Sequence, residues 1–95
     1  MRHAIINDQN LSAIKTEIST SYGSDTIIDV YSYIHHVASI KISDDGCAMM
    51  TYDKADYSRT TKAHIRRTLA ECELIFNLEF RYPKKIESNC WYRLI

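Results

Sequence analysis

The chain has 95 residues, 45% hydrophobic and 25% charged, which suits one ordinary globular domain with a modest core and argues against disorder. Twelve basic and twelve acidic side chains give a formal charge of zero, which argues against gripping nucleic acid mainly by bulk attraction. The charges are unevenly spread, however: Met1 to Ser58 holds four Lys/Arg against eight Asp/Glu, and Arg59 to Ile95 holds eight against four, so the halves carry −4 and +4 by subtraction.

In chain order, His3 to Ile6 is a short apolar run suited to an edge strand or to packing against the sheet, followed by several N-cap residues in Asn7-Asp8-Gln9-Asn10. Leu11, Ile14, Ile18 and Tyr22, spaced three, four and four, predict the buried stripe of a first helix with Gly23 at its C-terminal cap. From Thr26 to Ile34 the pattern alternates, with Ile28, Val30 and Ile34 on one face and Ile27, Asp29, Tyr31 and Tyr33 on the other. Val37 to Ile42 reads as a second strand with Ala38, Ile40 and Ile42 inward. Ser43-Asp44-Asp45-Gly46 is a hairpin turn, and Cys47 to Tyr52 a third strand.

A helix start follows at Ser58, with Thr60 and Thr61 as alternative caps, and Ile65, Leu69 and Cys72 as the buried stripe. The stripe is compatible with a helix running through Phe76. The strict alternation of Leu74, Phe76, Leu78, Phe80 and Tyr82 favours a strand instead, broken at Pro83-Lys84-Lys85 and answered by a return strand from Asn89 to Ile95. The expected fold is therefore α+β and two-layered: a helix, a three-stranded antiparallel meander, a second helix and a C-terminal β-hairpin, in one domain over 1–95.

No nucleophile motif or Gly-rich phosphate loop is present, and Asp53 and Asp56 beside Lys54 read as a solvated loop more readily than as an acid and base pair, so no catalytic residue is expected. His35 and His36 point to opposite faces of an extended backbone, and nothing obliges His64 to join a cysteine, so neither metal nor cofactor is expected. Cys47, Cys72 and Cys90 are odd in number and lack a C-x-x-C pair, which suits three reduced, mostly buried thiols. No stretch reaches the ~18 apolar residues of a membrane span, and no signal-peptide core is visible. The cytoplasm is the expected compartment.

The candidate working surface is the line of Arg59, Lys62 and Arg66 with Arg67 beside it, joined by Tyr31 and Tyr33 as aromatic anchors. Against it stands a solvated helix face carrying an Arg67 to Glu71 ion pair. Seven tyrosines and one tryptophan exceed the evident needs of the core, which favours docking on a protein partner or self-association. A nucleic-acid-binding domain is the alternative: helix, three strands, helix is the element order of double-stranded-RNA-binding domains, although Arg59-Thr60-Thr61-Lys62-Ala63-His64 has one lysine where those domains carry a basic cluster.

At Ala4-Ile5-Ile6-Asn7, Asn10-Leu11-Ser12-Ala13-Ile14-Lys15, Ser21-Tyr22-Gly23 and Tyr57-Ser58-Arg59-Thr60-Thr61-Lys62-Ala63-His64, the chain resembles a group of small uncharacterised proteins of tailed bacteriophages. The likeness covers roughly the first 65 residues and brings no catalytic residues with it. It implies a non-enzymatic accessory protein that binds and inhibits or redirects a host factor, for example as an anti-CRISPR or other anti-defence protein, by occupying a host protein or protein–nucleic acid complex. The setting would then be the cytoplasm of the host cell.

Overall fold

The computed structural model describes residues 2–20 and 23–95. Six strands, β1 (Arg2–Asp8), β2 (Leu11–Thr20), β3 (Gly23–Ser32), β4 (His35–Ile42), β5 (Ala48–Tyr52) and β6 (Trp91–Arg93), form one sheet in sequential order with every pair antiparallel. One helix, α1 (Arg59–Phe76), packs on β3 and β4. The fold expected from the sequence is therefore corrected to a six-stranded meander with one helix. The element order shared with double-stranded-RNA-binding domains goes with the missing first helix.

That first helix is β2. Its apolar residues fall at helical spacing, but Ile14, Thr16 and Ile18 also alternate with Lys15 and Glu17, and β-branched side chains are stiff in a helix and well placed on a pleated surface. Hydrogen bonding to β1 on one side and β3 on the other decides between the two patterns. The residues expected to cap a helix instead lie at the β1–β2 hairpin, in which Asp8 pairs with Leu11 across Gln9 and Asn10. Tyr22, the last member of the expected stripe, lies outside the described residues.

Register sorts the side chains by face. The row Ala13, Val30, Ala38 and Tyr52 and the row Lys15, Ile28, Ile40 and Met50 point to the helix side. Apart from Lys15, these residues, with Leu11, Ile6, Ile42 and Ala48, meet Ile65, Leu69 and Cys72 of α1 in one core, to which the tail adds Phe80 and Leu94. Ala38, Ile40, Ile42, Ile65, Leu69 and Cys72 are thus inward as the pattern predicts. Ile34 is instead 88% exposed, because β3 ends at Ser32 and Tyr33 and Ile34 make the two-residue hairpin loop.

The turn from Ser43 forms as expected, with Gly46 at φ 91° and its N–H bonded to Ser43 O at 3.1 Å. The register shift between Val30 and Tyr31 leaves Val37 as an extra residue in β4. The Val37 carbonyl accepts hydrogen bonds from Asp53 N at 3.0 Å and from the Tyr57 hydroxyl at 2.7 Å, anchoring the loop that leads into α1.

The C-terminal region departs furthest from expectation. α1 runs to Phe76 and stops at Asn77, which adopts the left-handed conformation and bonds its N–H to Glu73 O. The alternating residues after it form no strand and no hairpin. Phe80 is held by its N–H to Glu73 Oε2 at 3.0 Å, and only Trp91–Arg93 pair, with β5. Trp91 and Tyr92 take opposite faces, as a return strand requires. Among the described residues, no helix is long and apolar enough to cross a membrane.

Candidate functional site: a basic and tyrosine-lined cleft

Ser58 caps α1, accepting a hydrogen bond from Thr61 N at 3.2 Å. Ser32 of β3, buried, fixes how the helix is rotated on the sheet by bonding His64 Nδ1 at 2.7 Å. Buried Thr68 satisfies its hydroxyl within the helix, on His64 O at 3.0 Å. With Ile65, Leu69 and Cys72 facing the core, spacings of three and four put Arg59, Lys62 and Arg66 along one exposed flank.

The cations of the chain are not equivalent. Lys15 pairs with Glu17 at 2.8 Å, Lys41 lies 3.8 Å from Asp25, and Arg67 pairs with Asp8. The rival reading's Arg67 to Glu71 pair does not form: the guanidinium reaches across to the sheet instead of along its own helix. Among the described residues Arg59, Lys62 and Arg66 make no ion pair. These three form the free basic line, with Arg67 set apart from it.

Lys62 and Arg66 border a cleft of about 250 Å³ between α1 and the segment after it, with Lys84 on the opposite wall. Ile65, Leu69, Pro83 and Ile86 supply its apolar lining, Tyr52, Tyr57 and Tyr82 its phenols, and among the described residues that line it none is acidic. Burial pushes all three phenols above the ordinary tyrosine value, with neighbouring phenols adding to the effect at Tyr52 and the Glu73 carboxylate at Tyr82. They therefore stay neutral near pH 7 and leave the cationic field intact.

Two of those hydroxyls are engaged. Tyr57 donates to Val37 O and accepts from Lys54 N at 2.9 Å, while Tyr82 donates to Glu73 Oε1 at 3.2 Å. Tyr52 differs. Only 5% exposed, it has no hydrogen-bond partner for its hydroxyl among the described residues.

Tyr31 and Tyr33, grouped together by the sequence, are separated by the fold. Tyr31 lies on the sheet face away from α1, edge-on to His36 with ring centroids 5.3 Å apart. Tyr33 sits in the hairpin loop at φ 61°, its ring 5.8 Å from that of His64 on the helix side. Neither lines the basic cleft.

The face bearing Tyr31 also carries Asp53, His36 and Ser39 in the order of a hydrolytic triad: Asp53 Oδ2 to His36 Nδ1 at 2.7 Å, and His36 Nε2 to Ser39 Oγ at 2.9 Å. The protons run the wrong way for that chemistry. Ser39 donates its only hydrogen to Asp29 Oδ1 at 2.9 Å, so in this arrangement that hydrogen is not directed at Nε2. The network instead ties β3, β4 and the loop after β5 together. His35, beside it, is exposed. Among the described residues no group of three His, Cys, Asp or Glu side chains could hold a metal ion.

No protein-family model, curated protein or solved structure matches the chain. Tyr52, Tyr82 and Lys84 were not singled out by sequence pattern. They come to Lys62 and Arg66 only through β5 pairing and the return of the tail, and the one local hint is Lys84-Lys85 after Pro83.

Proposed function

We propose that the protein is a non-enzymatic binding module whose working surface is the free flank of Arg59, Lys62 and Arg66 and the cleft it borders. The observation that carries this reading is placement: Arg59, Lys62 and Arg66 share one exposed flank of α1, none has a carboxylate partner among the described residues, and Lys62 and Arg66 border a cleft without acidic lining. An array of unneutralised cations beside neutral phenols favours an anionic partner and gives it orientation as well as attraction. Together with the resemblance to tailed-phage accessory proteins, this supports occupation of a host protein or protein–nucleic acid complex as the mode of action.

Direct binding of RNA or DNA is the second reading, favoured by the tyrosines gathered around the same cations. Capture from bacterial lysate, with and without nuclease, separates the two. A partner retained after nuclease treatment and lost from the Arg59→Ala, Lys62→Ala, Arg66→Ala variant supports the protein target. Loss on nuclease treatment alone supports nucleic acid, and equal capture by wild type and variant overturns the assignment of this surface.

A further inference from the structure

The cleft has more specific chemistry than a basic surface needs. Lys62 and Arg66 on one wall and Lys84 on the other bring three positive charges to a space of about 250 Å³. That is below the ~300 Å³ at the small end of ordinary ligand pockets, so the cleft accommodates one compact group and not a length of strand. A carboxylate would leave most of that charge unanswered, whereas a phosphate monoester carries about −1.5 to −2 near pH 7 and offers three acceptor oxygens.

Tyr52 lines the cleft, and its hydroxyl, open to solvent there, has no hydrogen-bond partner among the described residues and lies within electrostatic reach of Arg66, Tyr57 and Tyr82. An acceptor entering the cleft would complete it. The nearby Glu73 carboxylate does not compete, since its oxygens accept from Phe80 N and the Tyr82 hydroxyl. Tyr82, 51% exposed, offers a ring beside the cations for a planar group to stack on.

We infer that the cleft is a binding site for a nucleoside monophosphate unit, its phosphate held by Lys62, Arg66, Lys84 and the Tyr52 hydroxyl and its base against Tyr82. The inference rests on the reading of the Lys62 and Arg66 flank as the working surface. The unit has two sources, a free nucleotide or the 5′-phosphorylated end of a single strand, and both present the same chemistry.

Calorimetric titration of the full chain with adenosine 5′-monophosphate, adenosine, inorganic phosphate and a phosphotyrosine peptide tests it, alongside a short oligonucleotide with and without its 5′-phosphate. The nucleotide is expected to bind more tightly than phosphate alone, and adenosine to bind without measurable heat. Tyr52→Phe, which removes one hydroxyl and no internal hydrogen bond, should weaken the nucleotide about tenfold, the size expected of one hydrogen bond to a charged group. Arg66→Ala and Lys84→Ala should weaken it further. A 5′-phosphate-dependent gain for the oligonucleotide supports the strand end as source, and nucleotide binding without such a gain supports the free nucleotide.

The inference is overturned if the nucleotide does not bind, if phosphate alone or the phosphopeptide binds as tightly, or if Tyr52→Phe and Arg66→Ala change nothing. Loss of lysate capture in the flank variant together with no nucleotide binding would remove this ligand and leave the binding surface standing. Nucleotide binding with unchanged capture would do the reverse.

Discussion

Arg67, in the middle of α1, forms an ion pair with Asp8, the last residue of β1, and so engages a cation of the basic segment that does not line the cleft. Both side chains are about half exposed, which limits the contribution to the ~0–1 kcal/mol usual for surface pairs. Arg67→Ala should therefore lower the urea-unfolding free energy by less than about 1 kcal/mol and leave partner binding unchanged. Binding loss on the scale of the flank variant would move the working surface onto this face.

Gly23 opens β3 at φ 141°, and a Cβ placed there would lie 3.0 Å from Asp44 Oδ2 and 3.2 Å from Asp44 Cβ, in the turn between β4 and β5. Positive φ and close approach act together. Gly23→Ala is expected to destabilise by more than about 1 kcal/mol, read from the urea midpoint. Combining it with Asp44→Gly should recover only the steric part, and full recovery would show that backbone conformation contributes nothing.

Burial pushes the Cys72 thiol up to about 12 from an ordinary 9.0, with the Glu71 and Glu73 carboxylates acting in the same direction. Since the folded value is the higher one, the thiol's contribution is fully present below about pH 9 and is lost as pH rises toward about 12, while the raised phenols of Tyr52, Tyr57 and Tyr82 add to the alkaline loss. Stability should consequently fall with pH above about 9. In native protein an alkylating reagent should modify exposed Cys90 well before Cys72, and mass spectrometry after brief labelling checks the order.

His36 holds Asp53 on one side and Ser39 with Asp29 on the other, so the effects of its partners should not add. A double-mutant cycle of His36→Ala and Asp53→Ala is expected to give a coupling energy of about 0.5 to 1 kcal/mol, the low end for contacting residues because both side chains are about one-third exposed. Additive losses would mean that the network does not join the loop to the sheet.

Much of the centre of the fold was legible from local pattern. Ser58, Ile65, Leu69 and Cys72 occupy the cap and stripe their spacing implies, and Ser43 to Gly46 makes the turn its glycine and aspartates call for. The ends were not. In β2 the same side chains satisfy a helical and an alternating period, and only the availability of β1 and β3 as neighbours chooses between them. Beyond Asn77, Leu78 and Phe80 alternate like strand residues but find their burial against the core as an irregular segment, and β6 takes the pairing edge of β5.

The basic line of the site was visible because helical spacing is local, whereas its opposite wall was not. Lys84 and Tyr82 approach Tyr52 through tertiary return of the chain, which no short-range period encodes. Tyr31 and Tyr33 illustrate the converse. Alternation gave them one face, and the end of β3 at Ser32 put Tyr33 into a loop.

The central claim is that Arg59, Lys62 and Arg66 form the working surface, and the most direct measurement compares partner affinity of the variant lacking all three with that of Arg67→Ala at matched melting temperature. Affinity at least about tenfold weaker in the former, with the latter equal to wild type, is the predicted result. Equal affinity in all three proteins would contradict it.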